Sequence, residues 1–153
     1  EAPYARARLK TGDLVYSIRG SIGDCEPVPC ELEGSNITQD VARIAVASGA
    51  CGAWVRWSLL SSAVREELAS GSLGAAVRGV NIFDLKRANI PTPPFDEQVA
   101  IAEYIDASVS KLEALMWEAA NAVELLSERR SALISAAVTG QIDVRKAASG
   151  GNR

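Results

Sequence analysis

The chain has 153 residues, 48% hydrophobic and 23% charged, enough to bury one core with an appendage but crowded for two full domains. That composition excludes wholesale disorder, the lack of any apolar run of about 18 residues excludes a helical membrane span, and a formal net charge of −3 supplies no global attraction to nucleic acid. Histidine is absent, so neither a Ser-His-Asp nor a Cys-His catalytic arrangement can be assembled within the chain, and Cys25, Cys30 and Cys51 lack the histidine of a Cys/His zinc set.

Residues 1–10 carry no signal-peptide core, so reduced thiols and a cytoplasmic location are expected. Residues 13–19 read as a strand ended by Gly20 and Gly23. Residues 37–46 read as a second, rich in β-branched side chains. From 53 to 69, Trp57, Leu60, Val64 and Leu68 recur at steps of three and four and predict a single amphipathic helix, broken afterwards by Gly71 and Gly74. Short segments at 76–80 and 88–90 read as further strands flanking the turn-like Asn81 and Asp84. The run Ile90-Pro91-Thr92-Pro93-Pro94 marks a boundary, because three prolines in so short a stretch neither continue a helix nor sit inside a sheet.

Beyond that boundary one pattern dominates. Ala102, Ile105, Val109, Leu112, Met116, Ala119, Val123, Leu126, Arg130, Leu133 and Ala137 step by three and four without a slip, the signature of a coiled-coil seam. Asp96 is the expected N-cap and Thr139-Gly140 the stop, so a helix about 65 Å long is predicted over 96–138. Leu115, Ala122, Ile134 and Ala136 border the seam, and Tyr104, Trp117 and Leu125 project away from it. A two-helix zipper leaves those side chains wet, which implies a second contact surface. Arg130 at a seam position costs stability unless paired and is suited to fixing register, with Arg129 sharing that role or both snorkelling near the helix end. The carboxylates of this segment are read as its solvated face. The expected fold is therefore α+β: a small mixed head over 1–95, a long coiled-coil-forming helix over 96–140, and a tail over 141–153.

Charge is uneven along the chain. Residues 1–95 hold ten Lys/Arg against ten Asp/Glu, whereas 96–153 hold six against nine. Phosphate contacts, if made, are expected from local clusters in the head. Gly71-Ser72-Leu73-Gly74 lacks the Lys-Ser/Thr of a phosphate loop, so a nucleotide site is not expected.

Several runs together carry a family resemblance. They are Thr11-Gly12-Asp13-Leu14-Val15-Tyr16-Ser17-Ile18-Arg19-Gly20-Ser21-Ile22-Gly23, Asn36-Ile37-Thr38-Gln39-Asp40-Val41-Ala42-Arg43-Ile44, Arg78-Gly79-Val80-Asn81-Ile82, Ile90-Pro91-Thr92-Pro93-Pro94-Phe95-Asp96-Glu97-Gln98, and Glu128-Arg129-Arg130-Ser131-Ala132-Leu133-Ile134-Ser135-Ala136-Ala137-Val138-Thr139-Gly140-Gln141-Ile142-Asp143. In this order and spacing the chain resembles specificity subunits of type I restriction-modification systems. The resemblance implies a DNA target-recognition domain joined to a conserved helix, corresponding to the C-terminal part of such a subunit, either a fragment or a natural half. It implies no catalytic residues, no metal and no cofactor.

The partners implied are double-stranded DNA, methyltransferase (modification) subunits and, through them, the restriction or translocase subunit. The long helix is expected to pair with a second copy or with the helix of an N-terminal half, and no membrane is involved. For DNA contact the candidates are Arg19, Ser21, Thr38, Gln39, Arg43, Arg78, Asn81, Lys86 and Arg87. Arg, Gln and Asn suit base edges, while Ser, Thr and Lys mostly suit phosphate oxygens. Each has a structural alternative: Gln39-Asp40 and Asn81 as turn residues, Arg43 paired with an acid, Lys86-Arg87 as solvated surface. The competing function is a coiled-coil oligomerisation protein with a small α/β head that reads no DNA.

Overall fold

The computed structural model describes residues 8–71 and 79–142. Three strands, β1 (Leu14–Ser17), β2 (Cys25–Pro27) and β3 (Val41–Ile44), form an antiparallel sheet in the order β2-β1-β3. β1 is central and alternates cleanly: Leu14 and Tyr16 are buried while Val15 and Ser17 are only half-covered. Its register sets Tyr16 opposite Cys25 on one side and Ala42 on the other, so these three share the core face. β2 has too little alternation to read from sequence, and Pro27 fits because β2 is an edge strand that need not donate outward. Of the strand expected over 37–46 only the four residues of β3 pair. Gln39 and Asp40 instead form a turn, with Val41 N–H donating to the Thr38 carbonyl at 3.3 Å.

Two helices, α1 (Gly52–Leu60) and α2 (Ser62–Gly71), stand where one was expected. Ser61 is the cause. Its backbone is extended (φ −63°, ψ 148°), its hydroxyl donates to the Ser58 carbonyl at 2.7 Å, and it accepts from Val64 N–H at 3.4 Å. One side chain thus closes α1 and caps α2. The break lets Leu59, Val64 and Leu68 all reach the core with Leu14, Tyr16, Ile18, Cys25, Ala42 and Val80. Burial pushes the Cys25 thiol up to about 11, with Arg56 opposing and Glu26 adding to the rise.

Residues 88–90 are not a strand, nor are residues 79–80, while 76–78 lie outside the described residues. Between them runs a helix that the sequence reading missed, α3 (Ile82–Arg87). Asn81, read as a turn residue, is its N-cap, accepting from Phe83 N–H at 2.9 Å. Asp84 in the first turn and Lys86 and Arg87 in the last complement the helix dipole.

The last element, α4 (Phe95–Val138), has 44 residues and follows the expected span within a residue. It starts at Phe95, so Asp96 lies in its first turn and is not its cap. It ends where Thr139 Oγ1 donates to the Ser135 carbonyl at 2.8 Å and Gly140 takes φ +75°, a left-handed stop that suits glycine.

Two compact units divide the chain, the first ending at Asp106 and the second beginning at Ala107. The first three turns of α4 therefore belong to the head. Gln98 makes that join: its Oε1 accepts from Cys51 N–H at the start of α1 (3.0 Å), and its Nε2 donates to the Pro93 carbonyl (2.8 Å). Trp54 Nε1 donates to the Pro91 carbonyl at 3.0 Å and Trp57 Nε1 to Asp106 at 2.9 Å, so α1 holds both the proline run and the start of α4. Among the described residues no helix is long and apolar enough to cross a membrane.

Candidate nucleic-acid interface

The connection from β1 to β2 is a tight loop closed by its own backbone. Ser17 N–H donates to the Asp24 carbonyl (2.9 Å), Gly23 N–H to the Ser17 carbonyl (3.0 Å) and Ile22 N–H to the Gly20 carbonyl (2.9 Å). Gly20 and Gly23 take φ +74° and +93°, which the reversal requires. These bonds leave Arg19 and Ser21 exposed on the loop. Ile18 and Arg19 N–H both donate to the Asp40 carbonyl, at 2.9 and 3.3 Å, which sets the Thr38-Gln39-Asp40 turn beside the loop. Arg19 and Asp40 side chains face each other at 3.7 Å and are about half exposed, a weak pair that solvent screens.

A third segment joins them. Val80 N–H donates to the Ile18 carbonyl at 2.9 Å, and a Cβ added at Gly79 would lie 3.1 Å from that carbonyl oxygen. Glycine therefore lets the chain leading into α3 run against β1. Sequence-distant candidates Arg19, Ser21, Thr38 and Gln39 are thereby gathered with Asn81 around one end of the sheet. Thr38 and Gln39 are exposed there, and Lys86 and Arg87 are exposed on α3. Asn81 is exposed, but its side-chain oxygen is engaged in capping. Arg78 lies outside the described residues.

Arg43 has a different setting. Its Nε is held by the carboxylate of the buried Asp13, which also accepts from Lys10 N–H at 3.1 Å, and both side chains are largely covered. Breaking such a pair leaves a buried carboxylate without its partner. Arg43→Ala is expected to lower folding stability by about 2–3 kcal/mol, measured by urea unfolding. Unchanged stability with lost DNA affinity would instead make Arg43 a reading residue.

One basic residue missing from the sequence candidates reaches the same loop. Arg65, on α2, lies over Gly23: a Cβ there would meet its Nε, Nη2 and Cζ at 3.2, 3.3 and 3.4 Å. The phenol of Tyr16 beneath is raised above its ordinary range by burial, and the charge of Arg65 opposes that rise. A separate cleft of about 310 Å³, lined largely by apolar side chains including Ile44, Leu59, Leu85 and Ile90, opens between β3, α1 and α3, with Lys86 at its lining.

In the second unit the expected seam is on the surface. Leu112, Met116, Ala119, Val123, Leu126, Arg130 and Leu133 are exposed, and Val109 and Ala137 are half-covered. Ala102 is 2% exposed and Ile105 half-covered within the head, so a partner helix does not find Ala102 free. Beside the seam, Leu115, Trp117, Leu125 and Ile134 are exposed as well, as is Tyr104 in the first unit.

The class these features define is an α+β domain with a three-stranded antiparallel sheet and one long C-terminal helix of exposed apolar faces. No family model matches the chain. Among curated proteins it is 29% identical over 82 residues to the type I restriction enzyme EcoKI specificity subunit of Escherichia coli strain K12, covering 54% of this chain and 18% of that protein. To the EcoBI specificity subunit of Escherichia coli it is 25% identical over 140 residues, covering 91% of this chain and 29% of that protein. Among solved structures, the HsdS subunit from Thermoanaerobacter tengcongensis matches with a TM-score of 0.61 at 26% identity, over 82% of this chain and 34% of that one. The chain thus spans less than a third of the curated relatives it matches, and in sequence and fold it is similar to a part of such specificity subunits.

Proposed function

We propose that the chain is a DNA-recognition and scaffold element of a type I restriction-modification complex, without catalytic groups of its own. The head reads one half of a bipartite site through the β1–β2 loop, the 38–40 turn and the approach to α3. The long helix pairs with another such helix, and its outer apolar side chains dock methyltransferase subunits. The observation that carries this reading is the likeness to the HsdS subunit, which takes in 82% of the chain at a TM-score of 0.61. Two exposed polar segments, the β1–β2 loop and the 38–40 turn, with Asn81 beside them, give DNA a surface that the overall charge of −3 does not.

The test is co-expression with a type I methyltransferase subunit, followed by co-purification and duplex binding across a salt series. Capture of that subunit and salt-dependent binding of a duplex are the expected results. A folded chain that dimerises, captures no methyltransferase and binds no duplex is instead the oligomerisation protein.

A further inference from the structure

We propose that Arg65 is a phosphate-backbone contact of the head, a guanidinium carried by α2 and laid flat on Gly23 of the β1–β2 loop; this rests on the DNA-reading function above. Its rigidity comes from α2, whose Val64 and Leu68 are core residues, so the backbone presenting the charge is fixed by packing. Its aim comes from Gly23. Three guanidinium atoms would lie at nearly equal distance, 3.2–3.4 Å, from a Cβ at that position, so a side chain there would push the group aside by a few tenths of an ångström, whereas glycine leaves it in place.

Arg19, Arg43 and Arg56 each face a carboxylate, from Asp40, Asp13 and Glu26, whereas among the described residues no carboxylate lies within ion-pair distance of Arg65. An exposed cation without an acidic partner among the described residues, held beside a loop that carries Arg19 and Ser21, has the chemistry of a phosphate clamp. It adds affinity without reading sequence, and it fixes how the loop is set against a duplex.

The experiment uses the full chain co-expressed with its methyltransferase subunit and two labelled duplexes of unrelated sequence, titrated over a range of NaCl. Arg65→Gln and Arg65→Met are each expected to reduce the slope of log affinity against log salt by about 0.9, equally on both duplexes, while Arg65→Lys keeps the slope. Thermal melting accompanies every titration, and methionine preserves the aliphatic packing should glutamine not fold. An unchanged slope in the folded neutral variants, with Arg19→Gln still lowering it, overturns the role of Arg65 and leaves the DNA-reading function standing. A wild-type complex with no salt-dependent affinity removes both.

Discussion

Gln98→Ala is expected to lower the folding free energy of the head by about 2–4 kcal/mol, a large share of what a domain of this size possesses. Gln98 is 2% exposed, and its amide is matched at both ends, accepting from Cys51 N–H and donating to the Pro93 carbonyl. Alanine strands both backbone groups and leaves a cavity where the amide stood. Each stranded group costs about 1–3 kcal/mol less whatever water recovers. Gln98→Met separates the two effects, since it fills the space but makes neither bond. The methionine variant is expected to keep only the part of the stability that packing supplies. Urea unfolding followed by tryptophan fluorescence reports the loss, because Trp54 and Trp57 are anchored to Pro91 and Asp106 on the same join. A change below about 1 kcal/mol in both variants would show that the start of α4 is held by the tryptophans and not by Gln98.

Gln98 also shows where sequence reading stops. The proline run before it and the helix after it were legible, because proline forbids both continuations and because a seam repeated over some ten turns leaves no other period. β1 was legible from alternation closed by glycines. β2 and α3 were not: three residues carry no alternation, and six carry less than two turns of helical period, although Asn81 with Asp84 three residues on is a cap signal. The helix break at Ser61 was hidden because Trp57, Leu60, Val64 and Leu68 keep their spacing straight across it.

The same division applies to the candidate site. Residue type nominates Arg19, Ser21, Thr38 and Gln39, but it is the pairing of β1 with β3 and the backbone bonds to the Asp40 carbonyl that bring the loop and the turn together. Arg43 was nominated by its charge, yet the acid that claims it, Asp13, is brought near by strand pairing. Arg65 was not nominated, because its helix is joined to Gly23 by tertiary packing and by no motif. Contacts across the sheet end, not composition, decide which of the basic residues face outward unneutralised.

Leu112→Lys carries the largest functional effect expected of α4: at least about a 100-fold weakening of helix pairing, equivalent to about 2.7 kcal/mol. In the isolated chain Leu112 is 60% exposed, and lysine forms helix about as well as leucine, so the fold should hardly notice the change. Between paired helices the same position is buried, and lysine there forfeits about 1.5–3 kcal/mol of apolar burial and sets a charge in the seam without a partner. In a pair of identical chains both copies bear the substitution and the loss is doubled. Trp117→Ala is the matched comparison, an equally exposed apolar residue that points away from the seam, and it should spare pairing while weakening methyltransferase capture. Light scattering gives the mass and co-purification gives the capture. If Leu112→Lys leaves the mass unchanged and abolishes capture instead, the seam is the methyltransferase dock, and the pairing surface must be sought among Leu115, Leu125 and Ile134.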